Sequence, residues 1–255
     1  MKIAVISDIH GNFQALESVL EDIKKNNCDK IFCLGDLALA GPEPAKVVDF
    51  LMHETRPANV SGSPAASCLE IIQGNCDKFI GDYSSAVFER VKEKFPAMAN
   101  ALADDVLVLS SAQKEYLKNL PPQKELEIEG VKILLVHGSP RDNNEDILPD
   151  MPLEVVEEML EGTNADVIFC GHTHIPCGYQ TGKKQTVVNT GSVGRPMTQA
   201  RACYVIADFK NGGFSVEHRL VDYDKELAAK LLEARNFKGS KEIAGLILNP
   251  VSRHV

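Results

Sequence analysis

Short apolar runs that stop at polar clusters constrain this chain more than any other feature of its sequence. Lys2 to Ser7 leads into Asp8-Ile9-His10-Gly11-Asn12, Ile31 to Leu34 into Gly35-Asp36, and Leu69 to Ile72 into Gly74-Asn75. Val131 to Val136 leads into His137-Gly138, and Val167 to Cys170 into Gly171-His172-Thr173-His174. Each run has the length of a strand. One Asp-x-His turn alone is weak evidence, because Asp often only caps a helix. Repetition changes its weight. In open α/β sheets ligands bind outside the carboxyl ends of strands, so these polar exits are expected to converge on one crevice.

The rest of the chain supplies elements around those exits. Phe13, Leu16, Val19, Leu20 and Ile23 form a helix-period stripe that ends at Lys24 and Lys25, charges suited to a helix C-terminus. A second helix is expected at about Ala45 to His53, and Thr55 to Ser67, with Pro57, Gly62 and Pro64, reads as a long surface loop. Residues 81–120 read as helical with interruptions: Tyr83 to Lys94, a break at Pro96, and a helix capped by Ser111. This block is either a partial cap over the crevice or an outer helical layer. Glu125 to Ile128 and Val131 to Val136 read as a hairpin, and Pro152 suits the first turn of a helix reaching about Leu160. Strands follow at Gly178 to Gln180, Gln185 to Asn189, Ala202 to Asp208 and Phe214 to Val221, then a helix at about Lys225 to Asn236 and a polar tail, residues 237–255. Helices alternating with strands early, and hairpins late, predict an α/β chain: a four-layer sandwich of two mixed sheets flanked by helices. No linker-like stretch divides it, so residues 1–255 are read as a single domain.

Composition narrows the function. A formal charge of −9 argues against a sequence-independent grip on nucleic acid, which relies on Lys and Arg. A small soluble substrate fits better. No apolar run approaches the roughly 20 residues of a membrane span, and the chain enters its first strand without a signal-peptide pattern. The expectation is a cytoplasmic protein with no membrane partner. The 7 Cys are scattered without a C-x-x-C pair and read as free thiols.

Asp8, His10, Asp36, Asn75, His137, His172 and His174 are the candidate ligands, nitrogen and oxygen donors at strand exits. They exceed what one four-coordinate zinc site uses, and suffice for two ions sharing one carboxylate. His53, His218 and His254 stand at no such exit and receive no role.

As an ordered set these motifs resemble the calcineurin-like metallophosphoesterases, and more closely their small bacterial and archaeal phosphodiesterase-like branch. The matching pieces are Asp8-Ile9-His10-Gly11-Asn12, Gly35-Asp36, Gly74-Asn75-Cys76-Asp77, His137-Gly138-Ser139-Pro140, Gly171-His172-Thr173-His174 and Asn189-Thr190-Gly191-Ser192-Val193-Gly194. They cover about Met1 to Val221. The resemblance implies an α-β-β-α sandwich. By position it implies that Asp8, His10 and His174 bind a first metal, Asn75, His137 and His172 a second, and that Asp36 bridges them. The metals expected are two divalent ions among Mn²⁺, Fe²⁺, Ni²⁺ and Zn²⁺.

It further implies hydrolysis of a small phosphodiester or phosphomonoester by in-line attack of a metal-held hydroxide, with Asp36 and Asn75 in catalytic positions. Two such ions carry +4 against −2 from Asp8 and Asp36, so the loaded site is about +2 and attracts a phosphate ester. Asn12, Arg141, Arg195 and Arg201 are the candidate substrate contacts, since guanidinium forks suit phosphate oxygens. Ser139 and Ser192 are rejected as nucleophiles, because no Ser-His-Asp or G-x-S-x-G context accompanies them. The alternative is a catalytically weak metal-binding scaffold of the same fold, such as the retromer complex contains. A nuclease or protein phosphatase is disfavoured by the acidic charge.

One position departs from the family. Many relatives carry His where this chain has Cys76, and that His helps the leaving group depart. A thiol ordinarily titrates near 8.5, and nearby cations favour the thiolate, so Cys76 is a poor general acid. Esters with good leaving groups should therefore be preferred. A Cys76→His variant is expected to turn over alkyl phosphodiesters faster than wild type, and an equal or lower alkyl-ester rate would refute this account.

Overall fold

The computed structural model describes residues 1–54, 69–197 and 199–251. The loop expected at Thr55 to Ser67, and His254, lie outside the described residues. Two five-stranded sheets stack face to face, their strands reading β10-β9-β1-β2-β3 and β4-β5-β6-β8-β7. The first sheet contains β1 (Lys2–Ile6), β2 (Lys30–Cys33), β3 (Leu69–Ile71), β9 (Ala202–Lys210) and β10 (Gly213–Val221). The second contains β4 (Lys124–Ile128), β5 (Val131–Leu135), β6 (Val167–Cys170), β7 (Cys177–Gln180) and β8 (Thr186–Asn189). Each sheet has a parallel trio, β1-β2-β3 or β5-β6-β8; antiparallel pairings add β9 and β10 on one side of the first, and β4 and β7 at the two edges of the second.

The unbroken apolar runs follow from burial on both faces. Ile3 and Val5 of β1 point between the sheets, where they meet Phe32, Ile133, Phe169 and Phe209. Ala4 and Ile6 point outward under helices. In β6, Val167 and Phe169 face the other sheet while Ile168 and Cys170 face α7 (Leu153–Met159). A parallel strand covered on both sides has no polar face to show, which is why these stretches lack period-2 alternation.

The outer layer on the first sheet is built by α1 (Phe13–Lys25), α2 (Pro44–Glu54), α3 (Asn75–Gly81), α4 (Ser85–Lys94), α5 (Pro96–Val108), α6 (Ser111–Lys118), α8 (Lys225–Ala234) and α9 (Ser240–Leu248). Leu16, Val48, Leu102, Leu117, Leu232 and Ile247 share one apolar cluster, so the 81–120 block packs as part of this layer. Met98 of α5 still reaches the site rim, 3.3 Å from Arg195 Nη1. Among the described residues no helix is long and apolar enough to cross a membrane.

Local signals explain the departures from expectation. Ser110, not Ser111, caps α6: its hydroxyl accepts from Gln113 N at 3.2 Å and its N–H donates to Gln113 Oε1 at 2.9 Å, a capping box. Pro152 sits at the N-cap of α7 rather than in its first turn. The expected polar tail holds α9, because Ile243, Ala244 and Ile247 recur at helical spacing and bury against the rest of the layer.

A polar staple fixes α1 to the far edge of its sheet. Asp22 accepts from Tyr204 Oη at 2.7 Å and from Arg219 Nε at 2.8 Å and Nη2 at 3.2 Å. The Arg219 hydrogen bonds, together with Tyr204, hold the Asp22 carboxyl below its usual range. A depressed carboxyl pKa adds stability above the unfolded value and loses it as pH falls through the folded one. With Asp22 and Arg219 side chains 19% and 29% exposed, Asp22→Asn should cost about 1 to 2 kcal/mol at pH 7. The gap to wild type should narrow below about pH 4. Urea melts showing an equal gap at pH 3 and pH 7 would refute the assignment.

Candidate metal centre

The strand exits are zipped together by backbone hydrogen bonds that run past the strands. Asp8 N donates to Gly35 O at 3.0 Å, His10 N to Asp36 O at 2.9 Å and Gly11 N to Leu37 O at 2.8 Å, extending the β1-β2 ladder into both turns. In the second sheet, Gly171 N donates to His137 O at 2.8 Å and Thr190 N to Cys170 O at 2.9 Å. The turn after β8 crosses between the sheets: Val193 N and Gly194 N donate to Ser7 O and Asp8 O, each at 3.0 Å. The strand exits of the two sheets are thus tied to one another. Small residues let the turns meet. A Cβ on Gly171 would lie 2.1 Å from Ser7 Oγ, and one on Gly74 would lie 2.1 Å from Asp36 Oδ1.

All seven predicted donors come together there, buried at 8% exposure or less. His10 Nε2 is 3.1 Å from His174 Nε2, 3.8 Å from Asp8 Oδ1 and 3.7 Å from Asp36 Oδ2. His174 Nε2 is 3.2 Å from Asp8 Oδ1. On the other side, His137 Nε2 is 2.9 Å from Asn75 Oδ1 and 3.5 Å from Asp36 Oδ1, and His172 Nδ1 is 3.0 Å from Asn75 Oδ1. Asp36 therefore turns one carboxylate oxygen toward each group. Five of the donors, Asp8, His10, Asp36, His172 and His174, have left-handed backbone, with φ between 47° and 67°. Such strain in residues other than Gly persists only where the surroundings over-determine it.

The outer hydrogen bonds aim the rings. His10 Nδ1 donates to Leu39 O at 2.9 Å, His137 Nδ1 to Leu34 O at 2.8 Å and His174 Nδ1 to Arg195 O at 2.8 Å. A carbonyl only accepts, so each Nδ1 carries the hydrogen and each Nε2 is the ring nitrogen that faces the other donors. His172 is reversed: Nε2 lies 3.3 Å from Asp146 Oδ1, and Nδ1 faces Asn75.

A model of the calcineurin-like phosphoesterase superfamily domain matches residues 1–212. The chain belongs to that family. It is 32% identical over 251 residues to an uncharacterized protein of Methanocaldococcus jannaschii, covering 91% of this chain and 93% of the other. It is 26% identical over 210 residues to phosphodiesterase YfcE of Escherichia coli, covering 82% and 88%. Two crystal structures share its fold over nearly their whole length. A hypothetical protein of Pyrococcus horikoshii OT3 superimposes with a TM-score of 0.81 at 23% identity, covering 96% and 97%. A metallophosphoesterase of Sphaerobacter thermophilus gives 0.74 at 22%, covering 98% and 99%. The family match ends before α8 and α9.

Calcineurin-like phosphoesterases bind divalent metals, and the donor chemistry here fits such an ion. Lone pairs facing lone pairs at 3.1 Å, as between His10 and His174, repel unless a cation sits among them. Asp8 Oδ2 accepts from His172 N at 3.0 Å, yet Oδ1, also buried, has no hydrogen-bond partner. Ligand atoms of Asp8, His10 and His174 lie within 4.8 Å of one another, as do those of Asp8, Asp36 and His137, and of His10, Asp36 and Cys76. The electrostatics show the negative charge of Asp8 and Asp36 left uncompensated in the cluster, a charge that attracts a cation. Burial opposes a charge on His137, but Asp36 and Asp8 outweigh it and push its pKa up to about 10. His10, by burial and the nearby His174, falls to about 3, and His172, by burial and His137, to about 4.

The substrate-contact expectations fare differently. Asn12 is consumed structurally, its Oδ1 accepting from Ala15 N at 3.2 Å and its Nδ2 donating to Gly194 O at 2.9 Å. Arg141 is forked onto Glu145 at 3.1 and 2.5 Å, and Arg201 onto Asp222 at 3.0 and 3.2 Å. Each of these three already has a partner within the protein close at hand. Arg195 remains near enough for its charge to bear on His10. Within the protein alone, burial, then the Asp36 carboxylate, pushes the Cys76 thiol well above its ordinary range. The expectation weighed cations alone, and a dry surrounding with nearby carboxylates acts the other way. His53 is a bland helix-end residue, Nδ1 2.7 Å from Asp49 O, and His218 bonds Asn189 O at 2.7 Å.

Sequence reasoning missed Asp77. Its carboxylate accepts from Asp36 N at 2.8 Å, Leu37 N at 2.9 Å and Gly74 N at 3.0 Å, joining two exits. The signal was the acid closing Gly74-Asn75-Cys76-Asp77, one helical turn after Gly74. Asp77→Asn turns an amide N–H₂ toward a backbone donor and should cost about 2 to 4 kcal/mol. A chemical-denaturation difference below about 1 kcal/mol would refute this role.

Proposed function

We propose that the chain is a dinuclear phosphoesterase that hydrolyses a small phosphodiester or phosphomonoester. In this reading Asp8, His10 and His174 hold one divalent cation, Asn75, His137 and His172 the other, and Asp36 serves both. The observation that carries it is the inward convergence of seven donors around Asp36, whose Oδ2 is 3.7 Å from His10 Nε2 and whose Oδ1 is 3.5 Å from His137 Nε2. Bound cations of this kind activate water as a nucleophile and offset charge on the phosphoryl group. Mn²⁺ suits the set, as do Fe²⁺, Ni²⁺ and Zn²⁺.

The protein's own residues do the positioning. The left-handed exits and the carbonyls of Leu34, Leu39 and Arg195 preset the imidazoles, so little reorganisation is left for the reaction. Arg195 is the guanidinium best situated to grip a phosphate oxygen. Cys76 donates its backbone N–H to Asp36 Oδ1 at 2.8 Å, so it anchors the shared carboxylate, and its thiol is a poor proton donor. The free thiols of Cys28, Cys33, Cys76, Cys170, Cys177 and Cys203 suit a reducing compartment, the cytoplasm. The acidic charge favours a small ester over nucleic acid.

Metal-stripped wild type and Asp36→Asn test the proposal together, with elemental analysis and a chromogenic aryl phosphodiester and phosphomonoester. Wild type should take up two equivalents of Mn²⁺ and gain turnover. Asp36→Asn should lose turnover by a factor on the order of 10² to 10³. Wild type that binds none of the four metals and shows no turnover overturns the reading.

A further inference from the structure

We propose that Arg235 of α8 and Asp105 of α5 are positioning residues, which hold the loop Leu39–Gly41 in the conformation that presents the His10 imidazole to a cation. The inference rests on the reading that His10 binds metal, and adds to it a device outside the strand exits. Leu39 O accepts from His10 Nδ1 at 2.9 Å and so fixes both ring orientation and tautomer. The carbonyl belongs to a strained loop. Leu39 and Ala40 have φ of 87° and 61°, conformations that side-chain-bearing residues rarely adopt, and both are buried. The loop also lies hard against the ligand strand exit, since a Cβ on Gly41 would come within 1.4 Å of His10 O.

Asp105 within α5 and Arg235 at the C-cap of α8 grip this loop at adjacent residues. Ala40 N donates to Asp105 Oδ2 at 3.2 Å, and Gly41 O accepts from Arg235 Nη1 at 2.6 Å. The two gripping side chains are locked to each other, Arg235 Nη2 standing 2.6 Å from Asp105 Oδ1 and also bonding Asp104. Asp105 is fully buried and Arg235 is 10% exposed, with its guanidinium 5.3 Å from the centre of the Phe237 ring. A planar fork is needed here, because one edge must reach a carbonyl while the other meets carboxylates, and an ammonium on a flexible stem does not span both. An ion pair that merely joined α5 to α8 would have no need of the loop. Here both members spend a hydrogen bond on it, Asp105 at left-handed Ala40 and Arg235 at the next residue, Gly41. α8 lies beyond the family match at residue 212, so the clamp is supplied partly by this chain's own C-terminal helices.

Releasing the clamp should let Leu39 O drift from His10 Nδ1 and weaken metal binding by the 10- to 100-fold typical of lost outer-shell partners. The test measures Mn²⁺ affinity by competition with a fluorescent chelator, and the thermal midpoint of the metal-free protein. Four proteins are compared: wild type, Arg235→Lys, Asp105→Ala and Arg219→Lys. Asp105→Ala leaves Arg235 paired with Asp104 and guards against a misfolded Arg235 variant. Arg219→Lys breaks the remote Asp22 staple as a control for general destabilisation. The expected result is a lowered midpoint in all three variants, with Mn²⁺ affinity reduced at least 10-fold in Arg235→Lys and Asp105→Ala and unchanged within twofold in Arg219→Lys. Unchanged affinity in both loop variants, or an equal loss in Arg219→Lys, overturns the positioning role alone. Wild type that binds no Mn²⁺ overturns instead the metal reading beneath it.

Discussion

Two carboxylates buried side by side set the terms for everything else in this molecule. Asp8 and Asp36 are 0% and 2% exposed, and an uncompensated buried charge is among the most costly groups a fold can carry. Each is met by a backbone donor, His172 N for Asp8 and Cys76 N for Asp36, at 3.0 and 2.8 Å. Those donors come from different exits, so holding the charges requires β1, β2, β3 and β6 to end together. The interlocking of the turns follows from that requirement. Ser192 Oγ donates to Asp8 O at 2.8 Å and Asn189 Nδ2 to Gly171 O at 2.8 Å, which fastens the turn after β8 to both sheets. The remaining negative charge explains why Nε2 of His10, His137 and His174 faces the same carboxylates.

What the sequence disclosed was chemistry at strand ends, because donor type and apolar run length are local properties. Asp8, His10, Asp36, Asn75, His137, His172 and His174 all stand where a run stops, and the run lengths alone placed them on one edge. What it withheld was everything made by backbone. Left-handed φ at Asp8 or His172 leaves no mark in a residue name, unlike a Gly. The carbonyls of Leu34, Leu39 and Arg195 are equally anonymous, since any residue offers one. Asn12, Arg141 and Arg201 show the opposite case: their polar ends were visible but their partners, Gly194, Glu145 and Asp222, were not. A side chain's availability depends on its nearest complement, and only three dimensions supply that.

The helical layer shows a similar division. Individual helices announced themselves by period, yet their joint role did not. The 81–120 block could be a lid or a wall on sequence grounds, and it is a wall because Leu102 and Leu117 bury into the same cluster as Leu16 of α1 and Val48 of α2. The tail was misread because a polar composition hid the spaced Ile243, Ala244 and Ile247. These C-terminal residues complete the layer over the first sheet, so a segment beyond the family match contributes to the core itself.

Strain at the exits gives that core a purpose beyond stability. A left-handed residue with a side chain costs about 1 to 3 kcal/mol, and five such residues occupy ligand positions. Local interactions around each turn are too few to hold them, and the chain relaxes unless distant parts resist. The resistance comes from the close-packed space between the sheets, where Phe32, Phe169 and Phe209 fix the strands that end at these turns, because packed cores deform in discrete steps and not gradually. A cation binding only the folded arrangement adds to the resistance by mass action. Packing and ligand thus act on the same set of dihedrals, and the packed core is what lets a buried cluster built on two carboxylates remain ready for an ion.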